Sequence, residues 1–195
     1  MAQQALFPGK VLLLMMVVVI GCKNNPSQTT KVLLNKNEQQ IAIVNGLTVV
    51  NNIAFSGRLF GMYPGTKDTA EITSYTNGKE DGEWKQFYPQ HKLKEIRWFS
   101  NGSKTGRYIA WWPNGQIQLQ FFFVNDEYQG TCREWGEDGR LTKVMTYNKG
   151  HEEGQQQEWY ANGKIKANYI IKDGRRFGLL GTKNCMNVSD SIFKN

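Results

Sequence analysis

Histidine is scarce in this chain. Only His91 and His151 occur in 195 residues. They fall in turns expected at opposite ends of the strands, too far apart to share a metal or relay a proton. Cysteine is scarce as well, at Cys22, Cys132 and Cys185. The last two are separated by 53 residues, roughly 20 Å along a sheet with the repeat spacing derived below. A disulfide needs Cα atoms within about 7 Å, so free thiols are expected. No G-x-S-x-G elbow, phosphate-binding glycine loop, H-E-x-x-H or calcium-loop pattern is present. Carboxylates pair as Glu80-Asp81, Glu137-Asp138 and Glu152-Glu153. Two carboxylates can hydrolyse a glycosidic bond, but these pairs read as the ordinary charge of hairpin turns. No residue is a catalytic candidate, and the chain is expected to be no enzyme, with no cofactor and no metal. Lysine and arginine outnumber the acids, for a net charge of +7. They are spread over strands and turns rather than clustered, which argues against nucleic acid as a partner.

A long hydrophobic run is also missing. The one apolar run, Val11–Gly21, has eleven residues, short of the roughly 20 that span a bilayer as a helix. It fits the core of a secretory signal peptide over residues 1–21. The run ends in Val19-Ile20-Gly21-Cys22, which resembles the bacterial lipobox. That resemblance implies cleavage before Cys22, lipidation of Cys22, and a mature protein held to a membrane by acyl chains. The expected location is the bacterial cell envelope, outside the cytoplasm. Residues 22–40 are polar and read as a flexible tether.

What the chain does have is a repeat. Residues 77–100, 101–124, 125–148 and 149–172 align at a fixed period of 24 without gaps. Such a period marks a repeat architecture. Glycine recurs at Gly82, Gly106, Gly130, Gly154 and Gly178, read as repeat-turn glycines. An aromatic follows at Phe87, Trp111, Trp135 and Trp159, and a second apolar column runs Phe99, Phe123, Tyr147, Ile171. Each unit reads as two strands rich in aromatic and β-branched residues. Asn114-Gly115 between them suits a two-residue type I′ loop. That loop predicts the pairs Trp112–Ile117, Ala110–Leu119 and Tyr108–Phe121. The fold class is all-β, an elongated antiparallel meander of 24-residue hairpin repeats with chain-adjacent strands paired. The expected divisions are N-terminal strands with a degenerate repeat over 41–76, tandem repeats over 77–178 and a C-terminal cap over 179–195.

The aromatic residues have two readings. The column Trp111, Trp135, Trp159 is either packing along the repeat axis or an exposed track for a ligand. The candidate interaction surface comprises Trp84, Trp98, Trp111, Trp112, Trp135, Trp159 and Tyr160.

The units, most clearly NGKEDGEWKQFYPQHKLKE at Asn77–Glu95 and WWPNGQI at Trp111–Ile117, resemble MORN repeats of the bacterial variant type. Repeats of that kind define the YwqK-type antitoxins. The resemblance implies a hairpin-repeat sheet and a non-catalytic interaction role, with a protein partner that the antitoxin label would make a toxin. The alternative is an envelope module that binds glycan or anionic lipid, with Trp98, Trp111, Trp112 and Trp159 as stacking platforms.

Overall fold

The computed structural model describes residues 32–181. The expected signal peptide over residues 1–21, the expected lipidation site Cys22, and Cys185 lie outside the described residues. Order starts earlier than the sequence suggested. β1 (Leu33–Asn35) is followed by a 3-10 turn over Lys36–Glu38. These residues belong to the folded sheet, which corrects the reading of 33–40 as tether. Leu34 packs against the core beside Leu59. The Asn35 side chain accepts from the Asn37 amide at 3.1 Å and donates to Glu38 at 2.8 Å, capping the turn.

Next come β2 (Ile41–Val44), β3 (Leu47–Val50) and β4 (Ile53–Ala54), which form a separate three-stranded sheet. It docks through Gly78. The Thr48 amide donates to the Gly78 carbonyl, and the Gly78 amide to the Phe55 carbonyl, both at 2.7 Å. A Cβ at Gly78 would meet Leu47 Cβ at 2.9 Å, so the approach needs glycine. This contact closes a continuous core, Val50, Phe55, Leu59 and Tyr75, with Leu34 and Trp84 against it.

The remaining strands form one long sheet with β1. They are β5 (Gly57–Met62), β6 (Thr69–Thr76), β7 (Lys79–Glu80), β8 (Gly82–Tyr88) and β9 (Lys92–Ser100). Then follow β10 (Ser103–Trp111), β11 (Ile117–Val124), β12 (Glu127–Tyr128) and β13 (Gly130–Trp135). β14 (Leu141–Asn148), β15 (His151–Trp159), β16 (Ile165–Lys172) and β17 (Arg175–Leu179) complete it. The sheet has 14 strands, and from β5 onward the strands pair antiparallel in sequence order, except that the short β7 and β12 pair only with β6 and β11, which go on to pair with β8 and β13. The all-β hairpin-repeat architecture is thus present. The exception is β1, which skips three strands to pair parallel with β5, Leu34 opposite Leu59. At roughly 4.8 Å per strand the sheet is about 50 Å long.

The sequence reading puts the tight loop within the unit and a longer turn, Ser100–Gly106, between units. The two are exchanged, save that the internal turn of the first unit also has two residues, Gln90 and His91, at positive φ. The two-residue type I′ loops join the units. Asn101 and Gly102 take φ of 50° and 93° between the paired residues Ser100 and Ser103. Asn77-Gly78, Asn125-Asp126, Lys149-Gly150 and Asp173-Gly174 also have both residues at positive φ. Within the unit, the Gly115 amide donates to the Trp112 carbonyl at 2.8 Å, and only Gly115 has positive φ. This is a type I turn on Pro113-Asn114 followed by a left-handed glycine. Trp111, not Trp112, therefore pairs with Ile117. The same turn forms on Ala161-Asn162-Gly163 without a proline, the Gly163 amide donating to the Tyr160 carbonyl at 2.8 Å and Trp159 pairing with Ile165, so it does not depend on Pro113. The pairs Ala110–Leu119 and Tyr108–Phe121 form as the alternation required.

The recurrent glycines are not in turns either. Gly82, Gly106, Gly130 and Gly154 sit inside or at the start of strands, at positive φ. There the ladder is bulged. Thr105 faces Trp98 and Ile109 faces Ile96, so Gly106, Arg107 and Tyr108 stand opposite the lone Arg97. The same two-residue surplus recurs between β14 and β15. An even surplus leaves the in–out alternation in phase, so one apolar face continues through every repeat. Gly178 lies in β17, where a Cβ would meet the Asn168 carbonyl oxygen at 2.6 Å.

Candidate functional site

The sequence-derived aromatic candidates do not form one surface. Trp84 is part of the N-terminal packing. Its ring lies 5.9 Å from Tyr75 and 4.6 Å from Phe99, and its Nε1–H donates to the Ser74 carbonyl at 3.1 Å. Trp111 and Trp112 line a shallow recess of about 480 Å³ with Lys92, Leu93 and Pro113. Trp135 and Trp159 occupy the equivalent end positions of β13 and β15, half-buried. Tyr160 follows in the next turn, exposed.

The residue after the aromatic column has a structural task that the sequence reading missed. Tyr63 Oη donates to the Phe87 carbonyl at 2.5 Å, Tyr88 Oη to the Trp111 carbonyl at 3.0 Å, and Trp112 Nε1 to the Trp135 carbonyl at 3.0 Å. Each polar tip ties the rim of its own repeat to that of the next. Gly136 takes this place in the third unit, and Arg140 Nη1 instead reaches the Ala161 carbonyl at 3.2 Å.

The residues that do converge belong to the second apolar column and its neighbours. Phe121 and Tyr128 meet edge-on at 5.4 Å, Phe123 lies 4.7 Å from Tyr128, and Tyr147 lies 5.1 Å from Tyr128. Tyr108 joins through Phe121 at 6.0 Å. Directly paired residues share a face. The same face therefore carries Cys132, Met145 and Gln156, which are buried beneath or beside the rings. Phe123 is buried as well, and the other rings are half-buried. An aromatic cluster of this kind leaves an apolar, adaptable surface at the middle of the sheet. The signal in the sequence was the column Phe99, Phe123, Tyr147, Ile171. The indole column drew attention away from it.

A charged network sits beside the rings. The Glu95 carboxylate is buried, with Oε2 accepting from Arg97 Nη2 and from Tyr108 Oη, each at 2.9 Å. The Arg97 guanidinium also lies over the Tyr108 ring at 4.4 Å. Burial works against the Arg97 charge, but the Glu95 hydrogen bond and charge outweigh it and hold its pKa above the ordinary value. Burial, reinforced by the Glu95 hydrogen bond, raises the Tyr108 phenol. Burial pushes Tyr147 up to about 12. Cys132 carries a free, fully buried thiol whose pKa burial also raises, which makes it inert rather than nucleophilic.

Of the two histidines, His91 lies in the turn after β8 with Nδ1 3.9 Å from Asp68. His151 begins β15. Glu152 and Glu153 also lie in β15 rather than in a turn, and Glu152 pairs with Arg176 at 3.2 Å. Among the described residues no group of three His, Cys, Asp or Glu side chains is placed to hold a metal ion.

A family model described as MORN repeat variant matches residues 104–125 and 152–170. Both segments run through a strand, a type I turn and the returning strand, β10–β11 in one and β15–β16 in the other. They start two full periods apart, in one register with the repeat. No curated protein matches the chain.

Proposed function

We propose that this chain is a non-catalytic repeat scaffold that docks a protein partner on its aromatic face and is held at a bacterial envelope through lipidated Cys22. The observation that carries the docking reading is the contiguous cluster at the centre of a 14-stranded sheet, in which half-buried Tyr108, Phe121, Tyr128 and Tyr147 surround the buried Phe123. Rigid aromatic side chains dominate protein interfaces because they bury much area at little entropic cost. Extended repeat surfaces serve partners in the same way. The matched repeat type supports a binding role. The narrower form of the reading makes the partner a toxin and this protein its neutraliser. The acyl anchor rests on the lipobox-like Val19–Cys22 alone.

The test is capture from native membranes by the acylated protein, followed by mass spectrometry. The expected result is one stoichiometric protein, lost on Phe121→Ala with Tyr128→Ala and retained on Arg133→Ala with Gln157→Ala. A second reading has its own observation in the Trp111–Trp112 recess. There an envelope glycan would stack on the indoles. Enrichment of glycan or lipid without a protein would replace the first reading by this one.

A further inference from the structure

Three cations meet at one place on the sheet. Arg97, Lys104 and Arg107 line a recess of about 220 Å³, together with Trp98, Tyr108, Phe123 and Tyr128. Among the four gapless units these columns hold no other cation: Arg97 corresponds to Phe121, Met145 and Tyr169, Lys104 to Glu80, Tyr128 and Glu152, and Arg107 to Glu83, Thr131 and Gln155. The flanking partial repeats each restore a single cation, Arg58 in the Arg107 column and Arg176 in the Lys104 column, and Arg176 is paired with Glu152.

The recess forms where the β9–β10 ladder is bulged at Gly106-Arg107-Tyr108. Arg97 already serves Glu95 through Nη2, yet its Nε–H is shielded from solvent and has no partner. Lys104 Nζ lies over the Phe123 ring at 5.7 Å. Among the described residues neither Lys104 nor Arg107 is in an ion pair. Three cations against the Glu95 carboxylate and Asp126, whose Oδ1 accepts from the Lys104 amide at 2.8 Å, leave the recess net positive, and aromatic walls strengthen its hold on an anion by lowering the local dielectric. Its volume is below the roughly 300 Å³ at which small-molecule sites begin. It therefore has room for one side chain or headgroup rather than a whole ligand.

We infer that this recess is an acid-recognition pocket that takes a carboxylate side chain from an acidic segment of the protein partner. The inference rests on the docking reading above and names the chemistry of that partner. An aspartate or glutamate fits each part: the carboxylate meets Lys104 and Arg107, and its stem lies against Tyr108, Phe123 and Tyr128.

The test uses the full ¹⁵N-labelled chain and a blocked tetraglutamate peptide. The peptide is expected to shift the Arg97 Nε–H and Trp98 indole signals saturably. Lys104→Glu with Arg107→Glu should weaken binding about tenfold or more, the loss of charge-assisted hydrogen bonds. Lys164→Glu with Arg175→Glu, the same change of charge at a remote place, should alter binding less than about twofold, as screened surface charge does. Equal losses in the two variants would mean diffuse attraction and overturn the pocket. Inorganic phosphate, or phosphatidylglycerol vesicles, moving the same signals while the peptide does not would overturn the carboxylate assignment. Membrane capture separates the two proposals. A partner retained by the Lys104/Arg107 variant but lost by the Phe121/Tyr128 variant refutes the pocket and leaves the docking face standing.

Discussion

At the residue scale the centre of the sheet is held by a few polar groups inside an apolar face, and their chemistry can be measured. Tyr147 is the clearest. Its folded pKa of about 12 lies above the ordinary 10.0, chiefly through burial. The folded state therefore binds the phenolic proton more tightly than the unfolded state. Its contribution to stability is complete below pH 10 and is lost as pH rises from there through about 12. Absorbance titration of the tyrosinates at 295 nm should show several late-titrating groups that revert to normal on unfolding, and Tyr147→Phe should remove the latest of them. Arg97 offers a second measurement. Arg97→Ala leaves the buried Glu95 carboxylate with Tyr108 as its remaining partner, which should cost about 3 kcal/mol in urea unfolding. Adding Glu95→Gln should recover part of that loss. If the single variant costs nothing, the network contributes nothing.

At the element scale, stability depends on how well each turn tolerates its backbone. The inter-unit loops need two left-handed residues, and four of the five repeat loops place asparagine or aspartate first. Lys149, at φ 47°, is the exception. A long side chain there carries a left-handed penalty that asparagine partly escapes through local hydrogen bonding. Lys149→Asn should therefore stabilise the protein by about 0.5–1 kcal/mol. A higher thermal midpoint with an unchanged circular dichroism spectrum is the expected readout, and a lower one would show that Lys149 has a compensating role. The rim bonds from Tyr63, Tyr88 and Trp112 act at this scale too, coupling consecutive hairpins that otherwise share only a ladder.

At the scale of the whole molecule the sheet is a one-dimensional array with unequal ends. The N-terminal end is closed by the three-stranded sheet and the core around Leu59. Among the described residues the C-terminal end is β17, every residue of which is exposed, Phe177 by 57%. In an array stabilised by neighbours, opening begins where a strand has only one. Hydrogen exchange should be fastest in β17, slower in β16 and slowest between β6 and β14. Uniform protection across all strands would show instead that the sheet opens as one unit.

The legible part of this protein is whatever follows from period and alternation. A gapless repeat of 24, with aromatic and β-branched columns, determined a hairpin array, because alternation with period two fixes which side chains share a face. That is why the pairs Tyr108–Phe121 and Ala110–Leu119 were accessible without coordinates. Three features needed the tertiary structure. Turn type was decided by ladder hydrogen bonds that no single column displays, since Ala161-Asn162-Gly163 makes the same turn as Pro113-Asn114-Gly115. The glycine column marked bulges rather than turns because positive φ serves both, and only the pairing register separates them. The meeting of Arg97, Lys104 and Arg107 came from two strands joined by a tight loop and bulged against each other. Each is an ordinary surface residue in its own strand, and only the register places all three around one recess.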